Sequence, residues 1–343
     1  DISRAKVENH LTNMKNKNKK RILTFADAIK EAQTQAFKLD KNVFIFGQAV
    51  DKTGHVFHTT EGLLKKFGKK RIFDTPNSEQ AETMFAAGAA NNGLRPVLIH
   101  HRVDFMAYTF DELVNWISLW SFKSAGKSSM PLVIRAIIGR GWGQGPQHAK
   151  TLHSMFSYLP GLKVIMPSSP SEAKGLLLSS IMSNDPVIFL EYRALYNTKE
   201  HVPEKPYFID LNEPRKRMSG KDITIVSMGA SVLTSIQAAE NLKKKSINVD
   251  LIDLRSLSTF NVSKIFSSVK KTKRIVVVED GWSNGSISSE IITRVVENGI
   301  RLKAPPQRIC WPNSHVPMAH VLEKEFYFDH NDISNTCIKL MKS

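Results

Sequence analysis

Cysteine is almost absent from this chain. Its 343 residues include two, Cys310 and Cys337, too few for a disulfide framework or a zinc cluster. That usage fits a reducing compartment. No apolar run approaches the roughly 18 residues of a membrane-spanning helix, so no span is expected. Several signatures are missing as well. No Gly-x-Gly-x-x-Gly follows a strand with an acidic residue about 20 positions on, which leaves a Rossmann site unsupported. There is no Walker loop, Gly-x-Ser-x-Gly elbow or His-Glu-x-x-His. The nearest Gly-rich candidate, Gly139-Arg-Gly-Trp-Gly-Gln-Gly145, leads into Pro146 rather than into a clean helix. Zinc-finger spacing and an RNA-recognition signature are also lacking.

What remains is ordinary globular composition with one outlier. Hydrophobic residues make up 41% and charged residues 23%, values that argue against disorder and collagen. The length suggests about two domains. The outlier is charge: 48 Lys and Arg against 32 Asp and Glu give +16. Residues 1–21 carry seven basic side chains against Asp1 and Glu8, a net +5 in a polar stretch without apolar periodicity. This reads as a basic flexible arm. Met14 is a candidate start, with residues 1–13 as upstream sequence. The other basic clusters, Lys65–Arg71, Lys243–Lys245 and Lys270–Arg274, fall on different predicted elements and lack interleaved aromatics. They read as solvated surface or as a docking face for an acidic partner, not as a nucleic-acid footprint.

Strands and helices alternate along the chain, the signature of a parallel α/β sheet. Thr24 caps a helical pattern through Phe37. Residues 43–46, 96–101, 132–138, 163–167 and 187–191 read as strands. Residues 79–92, 107–124 and 171–183 read as helices, the second amphipathic with Trp116 and Trp120. Pro203, Pro206 and Pro214 then break the rhythm, and residues 201–220 read as a linker. Alternation resumes with strands at 222–228, 248–254, 274–279 and 306–311. Helices are predicted at 231–245, 262–269, 286–298 and 331–342. Two tandem α/β domains are expected, 22–200 and 221–343, with no internal repeat.

Against this background a set of collinear segments resembles one family. Asp74-Thr75-Pro76-Asn77-Ser78-Glu79 is similar to the Asp-Thr-Pro-Ile-Ser-Glu of thiamine-diphosphate-dependent 2-oxo acid dehydrogenases, in the β subunit of the decarboxylating component. Gly88-Ala-Ala, Gly93-Leu-Arg-Pro96, Gly145-Pro-Gln-His148, Pro160-Gly-Leu-Lys-Val-Ile-Met-Pro167 and Ala173-Lys-Gly-Leu continue the match. Asp185-Pro-Val-Ile-Phe-Leu-Glu191, Gly220-Lys-Asp-Ile-Thr-Ile-Val226, Ile252-Asp-Leu-Arg255 and Glu279-Asp-Gly-Trp282 complete it. His100-His-Arg-Val-Asp-Phe105 and the Gly139–Gly145 loop look like a divergent bacterial branch.

The resemblance implies a transketolase-like pyrimidine-binding domain followed by a transketolase C-terminal domain. It further implies an α2β2 heterotetramer with β–β self-association, docking on a lipoyl acyltransferase core, and the cytoplasm (the mitochondrial matrix in a eukaryote). The α subunit is expected to hold Mg²⁺ and the diphosphate of thiamine diphosphate, because its Gly-Asp-Gly…Asn motif is absent here.

Thiamine chemistry needs one carboxylate at a largely desolvated site, bonded to the aminopyrimidine ring nitrogen. By resemblance Glu79 is that acid. At a helix start it also suits the dipole, with Ser78 or Asn77 as cap; Glu82 is its neighbour one turn on. His148 matches the substrate-side histidine, able to donate to a carboxylate or alkoxide, with Gln147 beside it. His101, His100 and His153 are further histidines near strand ends. Phe105 matches an aromatic that stacks on the aminopyrimidine, and core burial accounts for it as well. Ser180, Ile181, Ser183 and Asp185 fall where some members bind K⁺, although Ser183 replaces an acidic residue.

Two departures stand out. The family's Gly-Glu-(Asp/Glu)-Val is here Gly47-Gln48-Ala49-Val50, which places Gln48 toward the cofactor without a charge. The glycine two positions after the catalytic glutamate is Ala81. These differences leave open a non-oxidative thiamine-dependent carboligase or split transketolase-like enzyme, and a non-catalytic paralogous scaffold.

Overall fold

The structure is a computed structural model that describes residues 21–52, 55–139 and 143–343. Residues 1–20 of the expected basic arm, and 140–142 of the Gly-rich loop, lie outside the described residues. The chain forms two compact units. One comprises the residues up to Ile138 with Met155–Leu211; the other comprises Gly139–Ser154 with Asn212–Ser343. Among the described residues, no helix is long and apolar enough to cross a membrane.

In the first unit, β1 (Ile22–Thr24) runs into α1 (Phe25–Leu39). Thr24 Oγ1 accepts from the Asp27 backbone N–H at 3.0 Å, a cap contributing about 1 kcal/mol. Phe25, Ala28, Ile29, Ala32 and Ala36 recur on one stripe of the helix and are buried. The last residue assigned to the arm, Arg21, is part of this unit, since it forms a two-pronged ion pair with Glu31 at 2.8 Å on each arm.

The main sheet uses β2 (Val43–Gly47), β3 (Ile72–Asp74), β4 (Arg95–His100), β5 (Val133–Ile138), β6 (Lys163–Ile165) and β7 (Val187–Tyr192). All pairings are parallel, in the order β3-β2-β4-β5-β7-β6. Every residue of β2, β5 and β7 is buried. That follows from runs that are apolar at nearly every position, which only a sheet covered on both faces accommodates. The covering helices are α2 (Leu63–Phe67), α3 (Glu79–Asn91) and α4 (Pro170–Met182), with α1 packed on α4. The order matters for function. From β2 the chain goes to β3 on one side, then returns across to β4 on the other. The crevice at the carboxyl ends beside β2 is therefore a topological switch point, where α/β sheets bind ligands.

One polar network lies inside this apolar sheet. Arg135 of β5 and Glu191 of β7 are 1% and 0% exposed and form a two-pronged ion pair. Arg135 also donates to Gln33 Oε1 of α1 at 2.6 Å and to Thr59 Oγ1 at 3.1 Å. The Tyr196 hydroxyl donates to Glu191 at 2.7 Å. Burial, then the Glu191 charge, push the Tyr196 pKa well above its ordinary value, so it stays a phenol and a donor.

The predicted helix over 107–124 is not continuous. A 3₁₀ turn (Phe105–Thr109), a short helical turn (Phe110–Glu112), a π-helical turn (Leu113–Ile117) and a final turn (Trp120–Lys123) replace it. The Ser118 hydroxyl donates to the Val114 carbonyl at 3.0 Å, while its N–H reaches Leu113 five residues back. Such local bonding competes with the α ladder and widens the turn.

Part of the stretch read as a linker is strand. After β8 (Lys199–His201), which pairs antiparallel with β1, comes β9 (Arg215–Met218). It forms the antiparallel edge of the second sheet, ordered β13-β12-β10-β11-β9. The other strands are β10 (Ile223–Ser227), β11 (Val249–Asp253), β12 (Ile275–Trp282) and β13 (Gln307–Trp311), all parallel. The helices α5 (Ser231–Lys243), α6 (Ser263–Thr272), α7 (Ile287–Glu297), α8 (His320–Phe326) and α9 (His330–Lys342) complete the second unit. Its core gathers Ile223, Ile225, Leu251, Val276, Val278 and Leu340.

Candidate active site

The switch point brings three chain segments together. β2 ends at Gly47 and is followed by Gln48. β3 ends at Asp74 and leads through Thr75 to α3. β4 ends at His100 and is followed by His101. Gly47 is held at φ +142°, and a Cβ there would overlap the Ile99 carbonyl oxygen, so only glycine allows β2 and β4 to approach this closely. Ala49 sits in the left-handed region at φ 54° with its N–H on Asp74 Oδ1. The Thr75 N–H shares that oxygen at 3.1 Å.

Glu79 is the first residue of α3 and is half-buried. Its carboxylate accepts from Gln48 Nε2 at 3.1 Å. His101 Nε2 lies 2.8 Å from the Gln48 backbone oxygen. A carbonyl only accepts, so this ring nitrogen carries the hydrogen. Glu79, Gln48 and His101 thus form one chain: the imidazole fixes the residue whose amide fixes the carboxylate. The expected side-chain cap from Ser78 is not made; Ser78 occupies the N-cap position without such a bond. The first turn instead carries two acids, Glu79 and Glu82, which complement the helix dipole.

Behind Glu79 lies a drier layer. Glu82 accepts from the Thr75 hydroxyl at 2.7 Å. His100, 1% exposed, places Nε2 3.3 Å from Thr83 Oγ1. Burial first, then the Glu79 charge, raise the Glu82 carboxyl above its ordinary value. Burial pulls His100 down to about 4. Phe105 opens the 3₁₀ turn that packs against α3 and is half-buried.

The suggested potassium cluster already contains a cation. Arg95 Nη1 donates to the carbonyls of Ile181 at 3.2 Å and Ser183 at 2.7 Å, and Nη2 to Asn184 Oδ1 at 2.8 Å. The Ser180 hydroxyl turns back to the Leu176 carbonyl. Asp185 pairs with Lys163 at 2.8 Å. Among the described residues there is no cluster of three or more His, Cys, Asp or Glu able to hold a metal.

Gln147 and His148 lie on the Gly139–Ser154 segment and belong to the second unit. His148 is half-buried and Gln147 exposed. Their loop is anchored on both sides. Gly145, at φ 67°, packs on Met318, and Ala149 is buried against Trp311, Val316, Phe326 and Tyr327. Five residues past His148, His153 Nε2 lies 2.7 Å from Glu279 Oε1, with both side chains almost fully buried. Glu279 also accepts from the Ser288 N–H at 2.7 Å and the Ile287 N–H at 3.2 Å, at the start of α7. Burial opposes its charge, but His153 and the Ser288 N–H outweigh it and lower the pKa. In the sequence His153 is only one more histidine near a strand end, and Glu279 only part of a motif. No local pattern could have paired two residues separated by 126 positions.

The pyrimidine side of thiamine diphosphate fits these residues: one oriented, half-buried carboxylate at a switch point, with an aromatic on the adjoining turn. Among the described residues no cluster of acids able to hold a metal for the diphosphate lies beside them. The transketolase pyrimidine-binding domain profile matches residues 22–199, and the transketolase C-terminal domain profile matches 213–333. The acetoin:2,6-dichlorophenolindophenol oxidoreductase subunit beta of Bacillus subtilis (strain 168) is 35% identical, covering 94% of this chain and 98% of that protein. The pyruvate dehydrogenase E1 component subunit beta of Staphylococcus epidermidis is 39% identical over 86% of this chain and 91% of its own length. Its Staphylococcus aureus (strain Mu50) counterpart is 38% identical, covering 91% and 96% respectively. A solved structure described as a split-gene transketolase, inactive beta4 tetramer, superposes with a TM-score of 0.78 at 18% identity, covering 93% of this chain and 99% of that one. That likeness concerns the fold. The chain therefore belongs to the family of pyruvate and acetoin dehydrogenase β subunits, built from transketolase pyrimidine-binding and C-terminal domains.

Proposed function

We propose that this chain is the β subunit of an α2β2 thiamine-diphosphate-dependent 2-oxo acid dehydrogenase that decarboxylates a 2-oxo acid and passes the acyl group to lipoamide. The observation that carries the reading is the Gln48-oriented Glu79 carboxylate at the switch point. When bound, thiamine diphosphate would supply the carbon nucleophile and the electron sink. Glu79 would hold the aminopyrimidine ring nitrogen and exchange a proton there. Gln48 limits where the Glu79 carboxylate points, and His101 limits where Gln48 sits. Phe105 would cover the ring. His148 and Gln147 would face the substrate, donating to its carboxylate or developing alkoxide.

The α subunit would hold Mg²⁺ and the diphosphate, and β–β pairing would complete the tetramer. A lipoyl acyltransferase core is the further partner, and the cytoplasm the compartment. At the Ile181 and Ser183 carbonyls we assign the cationic role to the Arg95 guanidinium rather than to potassium. The pyrimidine-binding domain would span 22–200, and the C-terminal domain would begin ahead of β9, which pairs in the second sheet, rather than at 221.

The test is co-expression with an α subunit and a 2-oxo acid panel. Glu79→Gln should lower thiamine-dependent decarboxylation by roughly 10²–10⁴-fold, the usual size of an acid–base contribution. A fully active Glu79→Gln enzyme would refute the assignment. The similarity to an acetoin oxidoreductase subunit along 94% of the chain favours one second reading, an enzyme acting on an acyloin or joining two carbonyl fragments. Turnover of acetoin without lipoamide would select it. Absence of any α partner and of any thiamine effect would select the non-catalytic scaffold.

A further inference from the structure

Between Gly139 and Ser154 the chain makes a closed excursion on the second unit, and that excursion carries His148. It is shut at its base by the Gly139 N–H, which donates to the Lys150 carbonyl at 3.0 Å. Just past this closure stands Leu152, whose φ of 41° lies in the left-handed region. That conformation is costly for a bulky side chain. Backbone strain of this kind persists only where the surroundings over-determine it.

The two neighbours of Leu152 supply the restraint. Thr151 and His153 are 1% and 2% exposed. Both lie against β12 at Gly281, where a Cβ would come within 2.9 Å of His153 Cε1 and 3.5 Å of the Thr151 hydroxyl oxygen. Only glycine lets the imidazole settle there. Glu279 of the same strand then meets the ring nitrogen at 2.7 Å. The Ile287 and Ser288 N–H groups hold one carboxylate oxygen each, so Glu279 has a fixed direction. On the other side of His148 the hold is softer: Gly143 and Gly145 both have positive φ, and Gly145 packs on Met318, which is 65% exposed. Freeing His153 would let Leu152 relax, and the displacement would run back along a short closed loop to His148.

We propose that His153 and Glu279 are positioning residues for His148: their buried bond locks Leu152 in its left-handed conformation and thereby sets where His148 is presented. The functional half of this rests on the reading of His148 as a substrate-facing group; the tether itself does not.

Hydrogen–deuterium exchange of the full chain reads the tether. His153→Phe keeps a ring and removes the bond. It should raise exchange in residues 143–154 by about tenfold or more and leave β10 and β11 at parent rates. His153→Gln, whose amide can take the place of Nε2, should restore most of the protection. Gly281→Ala leaves both partners in place but crowds the ring, and it should loosen the same residues even if His153→Phe does not fold. Unchanged protection in 143–154, or exchange raised equally throughout the second unit, overturns the proposal. Kinetics with an α subunit and a 2-oxo acid separate positioning from mere stability. His148→Ala identifies which of KM and kcat that side chain governs. His153→Phe should lose roughly 10- to 100-fold in the same parameter. It should add little to His148→Ala; losses that multiply in the double variant mean that His153 acts independently, and they overturn the proposal. A fully active His148→Ala enzyme, beside a loop loosened by His153→Phe, refutes the reading of His148 and leaves the tether standing.

Discussion

Replacing Arg135 by Met tests whether the buried network is a structural necessity of the first unit. The change removes both prongs on Glu191 and the bonds to Gln33 and Thr59. Glu191 keeps only the Tyr196 hydroxyl and stays 0% exposed, so its charge is stranded in the core. Breaking a buried pair from one side costs about 3–5 kcal/mol. The retained Tyr196 bond argues for the lower half, and the orphaned Gln33 oxygen for the upper, so about 4 kcal/mol is expected. At a denaturant slope of about 2 kcal/mol/M, the urea midpoint of this unit should fall by roughly 2 M. Circular dichroism during urea titration reads this directly. The double variant Arg135→Met/Glu191→Leu removes the stranded charge and should recover about half of the loss, because apolar replacement of a whole pair is far less costly. If the single variant stays within about 1 kcal/mol of the parent, or the double is less stable than the single, the reasoning fails.

Two further outcomes follow from charges that the fold isolates. Glu279→Gln sets an amide nitrogen against backbone N–H groups and should destabilise the second unit by about 3 kcal/mol. Because the folded pKa of Glu279 lies below its ordinary 4.5, its contribution is complete above that value and is lost as pH falls through the folded value. The melting gap between parent and variant should therefore be constant well above pH 4.5 and narrow as the pH falls below it; a gap unchanged down to acid unfolding would count against the linkage. For Arg95, parent melting should be the same in potassium and sodium salts. Arg95→Met should cost about 2 kcal/mol and regain part of it in potassium alone, and a potassium-stabilised parent would contradict the assignment.

The parallel sheets were legible because their signal is local. Val43–Gly47, Val133–Ile138 and Val187–Tyr192 are apolar at nearly every position, and a strand covered on both faces has no other reading. The helix over 107–124 misled because amphipathic spacing fixes which face is buried, not whether the ladder is i→i+4 or i→i+5. Ser118 chose the wider turn through bonds that a periodicity count does not contain. The expected linker failed at its end for a related reason. An edge strand needs only one bonded side, so prolines nearby do not forbid β9.

The site divides along the same line. Glu79 was singled out because its motif is contiguous, and the loss of charge at Gln48 was equally plain. What Gln48 does with its amide was not, since the bond to Glu79 spans 31 positions and exists only because β2 and α3 meet at the switch point. The Arg95 guanidinium reaches carbonyls 86 and 88 residues away, so the residues around Ser180–Asp185 looked like an open cation site when read alone. In each case the sequence names the chemical groups and the topology decides which of them share a proton or a charge. A parallel sheet collects the carboxyl ends of strands distant in sequence into one crevice. The most consequential contacts are therefore the ones with the largest sequence separations, and a one-dimensional pattern carries least information about them.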